Sequence, residues 1–303
     1  MQTFDLRDDF LDYHADPTGR LTGAAMRNWI TLAMALAIGH MSTAAIAQSP
    51  PASPTFHPTP QGMRLDLEKP FHTRSPTWRL VVTEGVPVKD YGDNDAPGAL
   101  TLCLHKGPAG PCLSDAVTPP PQITTPDDAI GWKPHYLITA RVVYPRGPKA
   151  APFLLLVTGS LNSGDGDQIV ATQLLDYDSS RDEFRRVYAK STGHNNNQEI
   201  RFITDGPLRG TVITAEPQEH RPYDYWVVVD TLTQAGAYRQ VLRYRSATHQ
   251  NDGNPLAVID SEMPTIERRL GLWKPGEPLP TPPAGDGKLC TKPTLRHSEL
   301  WCE

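Results

Sequence analysis

The segment Phe153-Leu154-Leu155-Leu156-Val157 decides the fold of this chain because every one of its positions is apolar. A strand with one face in water alternates apolar and polar residues, whereas a strand covered on both faces is apolar throughout. The segment therefore predicts a central β-strand that is buried on both faces.

The sequence on both sides of this segment also has strand character. β-Branched and aromatic residues are common, and Gly, Pro, Asn and Asp interrupt them at short intervals, as in antiparallel sheets with tight connections. Residues 136–144 and 238–245 alternate between two faces, which is the side-chain pattern of a strand. The predicted strands are residues 78–83, 100–105, 136–144, 153–158, 169–176, 184–190, 199–204, 210–216, 225–232, 238–245 and 256–260.

One short helix is predicted after these strands. Ser261 is a residue type that caps helix starts, and Pro264 suits the first turn of a helix. Ile266 and Leu270 then share one face, and Gly271 ends the helix. With 31 prolines in 303 residues, longer helices are disfavoured.

The succession of strands predicts an all-β fold, specifically an antiparallel β-sandwich of consecutive hairpins with one short C-terminal helix. A weak internal repeat gives an alternative. Residues 136–189 and 199–247 each contain strand, strand and hairpin, which is also the pattern of a small or partial β-propeller-like repeat.

The first residues indicate where the protein resides. Arg27 precedes an apolar run at residues 30–38, and the small residues Ala45-Ile46-Ala47 follow. This is the pattern of a secretory signal peptide cleaved after the last alanine. Residues 1–25 are acidic, unlike the start of such a peptide, so we interpret them as a mis-called extension and expect the true start at Met26. The expected location is periplasmic or secreted, with no stable transmembrane anchor after cleavage.

The predicted organisation has four parts. These are residues 1–47, the signal peptide with its extension; residues 48–76, a proline-rich linker; residues 77–273, the all-β domain; and residues 274–303, a proline-rich tail pinned by a disulfide.

The four cysteines all follow the predicted cleavage point. An even number in an exported chain predicts two disulfides, and three connectivities are open. We favour the local pairs Cys103–Cys112 and Cys290–Cys302. The spacings contain no C-x-x-C unit, which disfavours zinc.

Three turns are rich in Asp and Asn, and such turns can supply the oxygen ligands that calcium prefers. They are residues 90–95, 162–167 and 251–254. The best ligands would be Asn162, Asp165 and Asp167. The same residue types also dominate ordinary tight turns, so we expect no cofactor, with calcium as the alternative.

The polar segment 191–201 joins two predicted strands. His194, Glu199 and Arg201 within it could form an acid/base group, although a polar hairpin connection with a paired arginine explains the same residues. Ligand contacts are expected from this segment and from an aromatic cluster beyond it. The expected contact residues are Asn196, Tyr223, Tyr225 and Trp226.

Motifs of common enzyme classes are missing from the sequence. The chain has no G-x-S-x-G elbow and no H-E-x-x-H, and the acids of residues 176–182 are expected to be exposed in a turn. The formal charge of −5 disfavours nucleic acid as a partner. The sequence therefore favours an exported, non-catalytic binding or scaffolding protein for an envelope or extracellular ligand. The alternative is an extracytoplasmic hydrolase acting on a glycan or an ester.

Overall fold

The computed structural model describes residues 62–107, 110–119, 133–161, 168–193, 199–217, 224–249, 252–280 and 292–302. The first of three four-stranded sheets, sheet 1, is formed by residues 63–113. Its chain runs through β1 (Met63–Asp66), helix α1 (Glu68–Phe71), β2 (Arg79–Glu84), the hairpin of β3 (Val88–Lys89) and β4 (Asp95–Ala96), β5 (Leu100–His105) and β6 (Cys112–Leu113). Sheet 1 has the strand order β1-β2-β5-β6, with antiparallel neighbours.

Sheets 2 and 3 are two consecutive antiparallel meanders. Sheet 2 contains β7 (Tyr136–Val143), β8 (Phe153–Gly159), β9 (Ile169–Asp178) and β10 (Glu183–Gly193). Sheet 3 contains β11 (Glu199–Phe202), β12 (Val212–Pro217), β13 (Asp224–Leu232) and β14 (Tyr238–His249). The two units of the weak repeat are therefore these two sheets. Helix α2 (Val258–Arg269) and the hairpin of β15 (Pro293–Arg296) and β16 (Glu299–Cys302) complete the described chain.

Strand β8 is covered on both of its faces, as its sequence predicts. Leu154 and Leu156 lie in one hydrophobic cluster with residues of sheet 1 such as Leu80. Phe153 and Leu155 lie in a second cluster with Phe202 and Val212 of sheet 3. Sheet 2 is thus the middle layer of three stacked sheets.

Helix α2 forms a fourth layer on the far side of sheet 3. Val258, Ile259 and Met263 of the helix share a hydrophobic cluster with Tyr225 and Val227 of β13. The C-terminal hairpin is held beside the helix by hydrogen bonds, which include Thr265 Oγ1 to the Ser298 carbonyl (3.0 Å) and Asn254 Nδ2 to the Leu300 carbonyl (2.9 Å). The predicted all-β fold with antiparallel hairpins and a short C-terminal helix is confirmed.

The start of α2 differs from the prediction. Residues 256–260, predicted as a strand, contain the first turn of the helix, which begins at Val258 rather than near Ser261. The apolar residues there face sheet 3 from a helix, and a short apolar run does not distinguish the two structures. The helix ends as predicted, with Gly271 in a left-handed conformation just beyond it (φ +72°).

The boundaries of the β-domain also extend beyond the sequence-based ranges. Strand β1 and helix α1 lie in the segment interpreted as linker, where Leu67 is fully buried and Phe71 contacts the core. The hairpin β15–β16 lies in the segment interpreted as a tail, where Leu300 is fully buried. Both segments bury apolar side chains, as parts of a packed domain do.

The predicted disulfide between Cys103 and Cys112 is present. It joins β5 to the short strand β6 at the edge of sheet 1, next to the cross-strand pair His105 and Cys112. Cys302 lies in β16, and its predicted partner Cys290 lies outside the described residues, so that pairing stays a prediction.

Removing one buried leucine of β8 tests whether the middle layer carries the stability of the fold. We expect Leu154→Ala to lower the free energy of unfolding by about 2–5 kcal/mol, because the side chain is fully buried between two sheets. Leu295→Ala is the control, since Leu295 is 44% exposed and its truncation should change the free energy by less than about 0.5 kcal/mol. Urea denaturation of both variants measures the difference, and equal small losses would contradict the layered packing.

Candidate functional site

Strand ends of sheets 2 and 3 that flank several polar segments of the sequence lie at one side of the two sheets. One end of sheet 2 is marked by the cross-strand pairs Tyr136–Gly159 and Ile169–Gly193. One end of sheet 3 is marked by the pairs Glu199–Ala215 and Asp224–His249. These strand ends flank the connections at residues 162–167, 194–198, 218–223 and 250–251. We call the described strand ends at this side of sheets 2 and 3 the loop end.

Several predicted site residues fall within those connections. They are the calcium candidates Asn162, Asp165 and Asp167, the acid/base candidate His194, and the contact candidates Asn196 and Tyr223, and all six lie outside the described residues. The described strands nevertheless show that their segments start and finish at one side of the protein.

A polar cluster lies between sheets 2 and 3 close to the loop end. Lys190 Nζ of β10 contacts Glu216 Oε1 of β12 (2.8 Å) and donates a hydrogen bond to Thr214 Oγ1 (3.0 Å). Among the described residues, the buried hydroxyl groups of Thr172 and Thr192, on the same face of sheet 2 as Lys190, have no hydrogen-bond partner. Buried polar groups without a partner are unusual in packed layers.

Trp226 extends this polar region along β13. The guanidinium of Arg243 stacks on its indole ring, with 4.2 Å between Cζ and the ring centroid. Arg245, on the same strand β14, donates to Asp224 Oδ2 through Nη2 (2.8 Å). A half-buried aromatic ring beside two exposed arginines forms a surface that can bind planar or anionic groups.

Tyr225 does not belong to this surface. Its side chain is 1% exposed and lies in the cluster between sheet 3 and helix α2. Neighbouring residues of a strand point to opposite faces, so Trp226 and Tyr225 cannot both face the same ligand. The burial of Tyr225 gives no support to a ligand contact, and that contact stays a prediction.

Glu199 and Arg201, the described members of the predicted acid/base group, join β11 to helix α2. Arg201 donates to Glu199 Oε2 (2.7 Å) and to Asp260 Oδ1 (2.5 Å), and Glu199 Oε1 accepts the Ile259 N–H (2.6 Å). Glu199 thereby caps a helix whose own N-cap position, Ala257, offers no side-chain acceptor. These contacts give both residues a structural role.

Burial and the neighbouring charges shift the pKa values of Asp260 and Arg201. Burial favours neutral forms, and it raises the pKa of Asp260 in spite of the adjacent guanidinium. The two carboxylates outweigh burial at Arg201 and raise the pKa of its guanidinium. Arg201 therefore stays a cation between sheet 3 and α2. A group that does not release its proton can link two elements but cannot act as a proton donor.

Asp182 forms the most highly coordinated carboxylate at the junction of sheets 1 and 2. It lies in the β9–β10 turn and accepts hydrogen bonds from Ser75 Oγ (2.5 Å), Trp78 Nε1 (2.9 Å) and Tyr177 OH (2.5 Å), while Lys106 Nζ lies 2.7 Å away. The expectation that the acids of this turn are exposed is wrong for Asp182. Three of its partners come from two distant segments, Ser75 and Trp78 from one and Lys106 from the other, and no local pattern indicates them.

Desolvation opposes ionisation of Asp182, but the four donors outweigh it. The hydrogen bonds from Lys106, Ser75, Tyr177 and Trp78 hold the pKa of the carboxyl well below its usual range. The rings of Trp78 and Tyr177 also contact Phe184, which places the charged group beside an aromatic cluster. Asp182 therefore links sheets 1 and 2 as a partly buried anion.

Two of the three turns rich in Asp and Asn are satisfied by their own backbone. Asp90 accepts the N–H groups of Gly92 and Asn94 (both 2.8 Å), and Asp252 accepts that of Asn254 (2.8 Å). Within the described ranges, no group of three or more His, Cys, Asp or Glu side chains could hold a metal ion. These two turns show ordinary turn chemistry.

The sequence analysis did not identify Lys190, Glu216 or Arg243. The sequence does hold a signal for Lys190 and Glu216. Lys190 shares the inward face of β10 with Tyr188, and Glu216 shares the inward face of β12 with Thr214. A charged residue at an inward position indicates either a buried pair or a site.

No family model matches the chain, and no curated protein or solved structure matches it significantly. Over the described residues, no helix is long and apolar enough to span a membrane.

The role of Asp182 can be tested by the pH dependence of stability. Because the pKa of its carboxyl is lower in the folded than in the unfolded chain, its contribution is complete above about pH 5 and declines as the pH falls. We expect Asp182→Asn to lower the free energy of unfolding by about 2 kcal/mol at pH 7. The difference from the original protein should shrink between pH 5 and pH 2.

Urea unfolding at several pH values measures this dependence. Asp115→Asn is the control, because Asp115 is exposed and its carboxylate has no comparable set of donors. A cost of Asp182→Asn that stays constant down to pH 2 would show that the carboxylate is not the stabilising species.

Proposed function

We propose that this chain is an exported, non-catalytic binding protein whose ligand contacts the loop end of sheets 2 and 3. The observation that carries the proposal is that the described strand ends flanking four polar segments lie at one side of two stacked sheets. Binding residues are commonly presented by loops that a rigid scaffold positions, as in sandwich domains.

The described surface at the loop end supports the binding of polar, negatively charged ligands. Arg243 and Arg245 are exposed beside the half-buried ring of Trp226, and Lys190 lies nearby between the sheets. Aromatic rings bind planar or sugar-like surfaces, and guanidinium groups form paired hydrogen bonds with anionic groups. We therefore expect an acidic ligand of the envelope or the extracellular space.

The contacts of Glu199 and Arg201 favour binding over the alternative of a hydrolase. Both oxygens of Glu199 accept hydrogen bonds, one from the start of α2 and one from Arg201. A general base needs a lone pair directed at the substrate proton. Neither residue offers a free group to a substrate.

Export is supported by the sequence and by the disulfide Cys103–Cys112. Disulfides persist mainly in oxidising compartments outside the cytosol. We expect the mature protein recovered from outside the cytosol to begin near Gln48, as N-terminal sequencing would show. Recovery of the chain only from the cytosol, with its first residues intact, would contradict the proposed location.

Binding at the loop end can be tested with an array of neutral and acidic oligosaccharides. We expect the protein to retain acidic members preferentially, and Arg243→Gln to weaken this binding about tenfold, because a charge-assisted contact is lost. Arg269→Gln is the matched control, since Arg269 also stacks on an aromatic ring, Tyr244, at 4.4 Å, but on the helix face of sheet 3. That variant should bind like the original protein.

Two results would contradict the proposal. The first is an array without any retained glycan. The second is equal binding by Arg243→Gln and the original protein, which would place the contact surface elsewhere. Circular dichroism of both variants checks that each keeps the β-sheet spectrum of the original protein.

A further inference from the structure

A cleft lies at the end of sheets 2 and 3 that is opposite to the loop end. It is a cleft of about 260 Å³ between the end of β7 and the end of β11. The residues that line it are Arg141, Val142, Val143, Tyr144, Pro148, Phe202, Thr204 and Arg209. All of them belong to the described part of the chain, and none belongs to the surface around Trp226.

Two close-packed connections shape this cleft. Gly210 (φ +79°) lies so near Pro145 that a Cβ atom there would overlap the Pro145 carbonyl oxygen. Tyr238 OH donates to the Gly210 carbonyl (2.8 Å), and Gly147 lies next to the Arg209 guanidinium. The walls of the cleft are therefore fixed by packing and by a left-handed glycine that other residues tolerate poorly.

The floor of the cleft is apolar. Val143 and Phe202 are 5% and 8% exposed and belong to the hydrophobic cluster between sheets 2 and 3. The Pro148 ring adds to this lining. Such a floor excludes water from an apolar body placed on it.

The rim of the cleft carries an excess of positive charge. Arg141 is exposed, and within the described chain no hydrogen bond or ion pair engages its guanidinium. Arg209 Nη2 lies 3.1 Å from Asp205 Oδ1, and Thr204 Oγ1 donates to the other oxygen of that carboxylate (2.8 Å). Asp205 is paired with Arg209 only, so the guanidinium of Arg141 leaves the rim with an excess of positive charge.

We propose that this cleft binds a small organic carboxylate whose apolar body is about the size of one aromatic ring. A cavity of about 150 Å³ accommodates benzene, so about 260 Å³ holds a ring with a short acidic side chain. The apolar floor takes the ring, and the guanidinium of Arg141 forms charge-assisted hydrogen bonds with the carboxylate.

The proposal is independent of the function assigned to the loop end. The two sites lie at opposite ends of the same sheets and use different arginines. Loss of one should leave the other intact, so each can fail without the other.

Phenylacetate is a suitable probe, and phenylacetamide is its neutral control of nearly the same shape. Isothermal titration calorimetry of the full mature chain should show binding of phenylacetate and at least tenfold weaker binding of phenylacetamide. In methyl-resolved NMR spectra, phenylacetate should shift the signals of Val143, which lies on the floor of the cleft.

Three variants assign the binding to the cleft. Arg141→Gln should weaken phenylacetate binding about tenfold, and Arg209→Gln should weaken it less, because Asp205 already engages that guanidinium. Arg181→Gln is the control, because Arg181 is an exposed arginine near an acidic partner in the β9–β10 turn. Its affinity for phenylacetate should match that of the original protein.

Four results would overturn the proposal. They are an absence of phenylacetate binding at roughly ten times a 1 mM dissociation constant, equal binding of the neutral amide, an unchanged affinity in Arg141→Gln, and unchanged methyl signals of Val143. Inorganic phosphate that binds as tightly as phenylacetate would also overturn it, since the apolar body would then contribute nothing.

Discussion

The burial of both faces of sheet 2 is the constraint on which the rest of the structure depends. Strand β8 places Leu154 and Leu156 against sheet 1, and Phe153 and Leu155 against sheet 3. A sheet that is apolar on both faces is stable only when two other layers cover it, since burial of apolar area is the main favourable term in folding. The order of layers, sheet 1, sheet 2, sheet 3 and α2, follows from this requirement.

At each boundary between layers, charged side chains also link one layer to the next. Asp182 joins sheets 1 and 2, Lys190 and Glu216 join sheets 2 and 3, and Arg201 joins sheet 3 to α2. Glu262, which is fully buried in α2, accepts hydrogen bonds from Tyr244 and Thr248 of β14. Apolar packing has little directional preference, so these polar contacts help to fix how one layer is placed on the next.

The two ends of sheets 2 and 3 differ in packing and in polarity. Close packing of the connections around Gly210 and Pro145 closes one end, apart from the cleft beside Arg141. The polar connections of the loop end follow strands whose interior positions include Thr172, Lys190 and Thr214. A rigid stack of sheets can therefore present two chemically distinct surfaces without movement of the layers.

The sequence by itself predicted the strands of sheets 2 and 3, the burial of β8 on both faces and, as the favoured pairing, the local disulfide. Period-two alternation and the continuous apolar segment at 153–157 are local signals, and a strand is defined by local side-chain spacing. Cys103 and Cys112 are close along the chain, so their pairing needed little tertiary information. The ambiguity at residues 256–260 arose because a short apolar run suits a strand and a buried helical turn equally well.

Only the tertiary structure decided which polar residues act together. Asp182 gathers donors from Ser75, Trp78 and Lys106, and Glu199 caps a helix that begins about sixty residues later. Tyr225 and Trp226 are adjacent in sequence, yet sheet packing buries one and leaves the other half-exposed. Contacts between residues distant along the chain depend on how the layers stack, and local spacing holds no record of that arrangement.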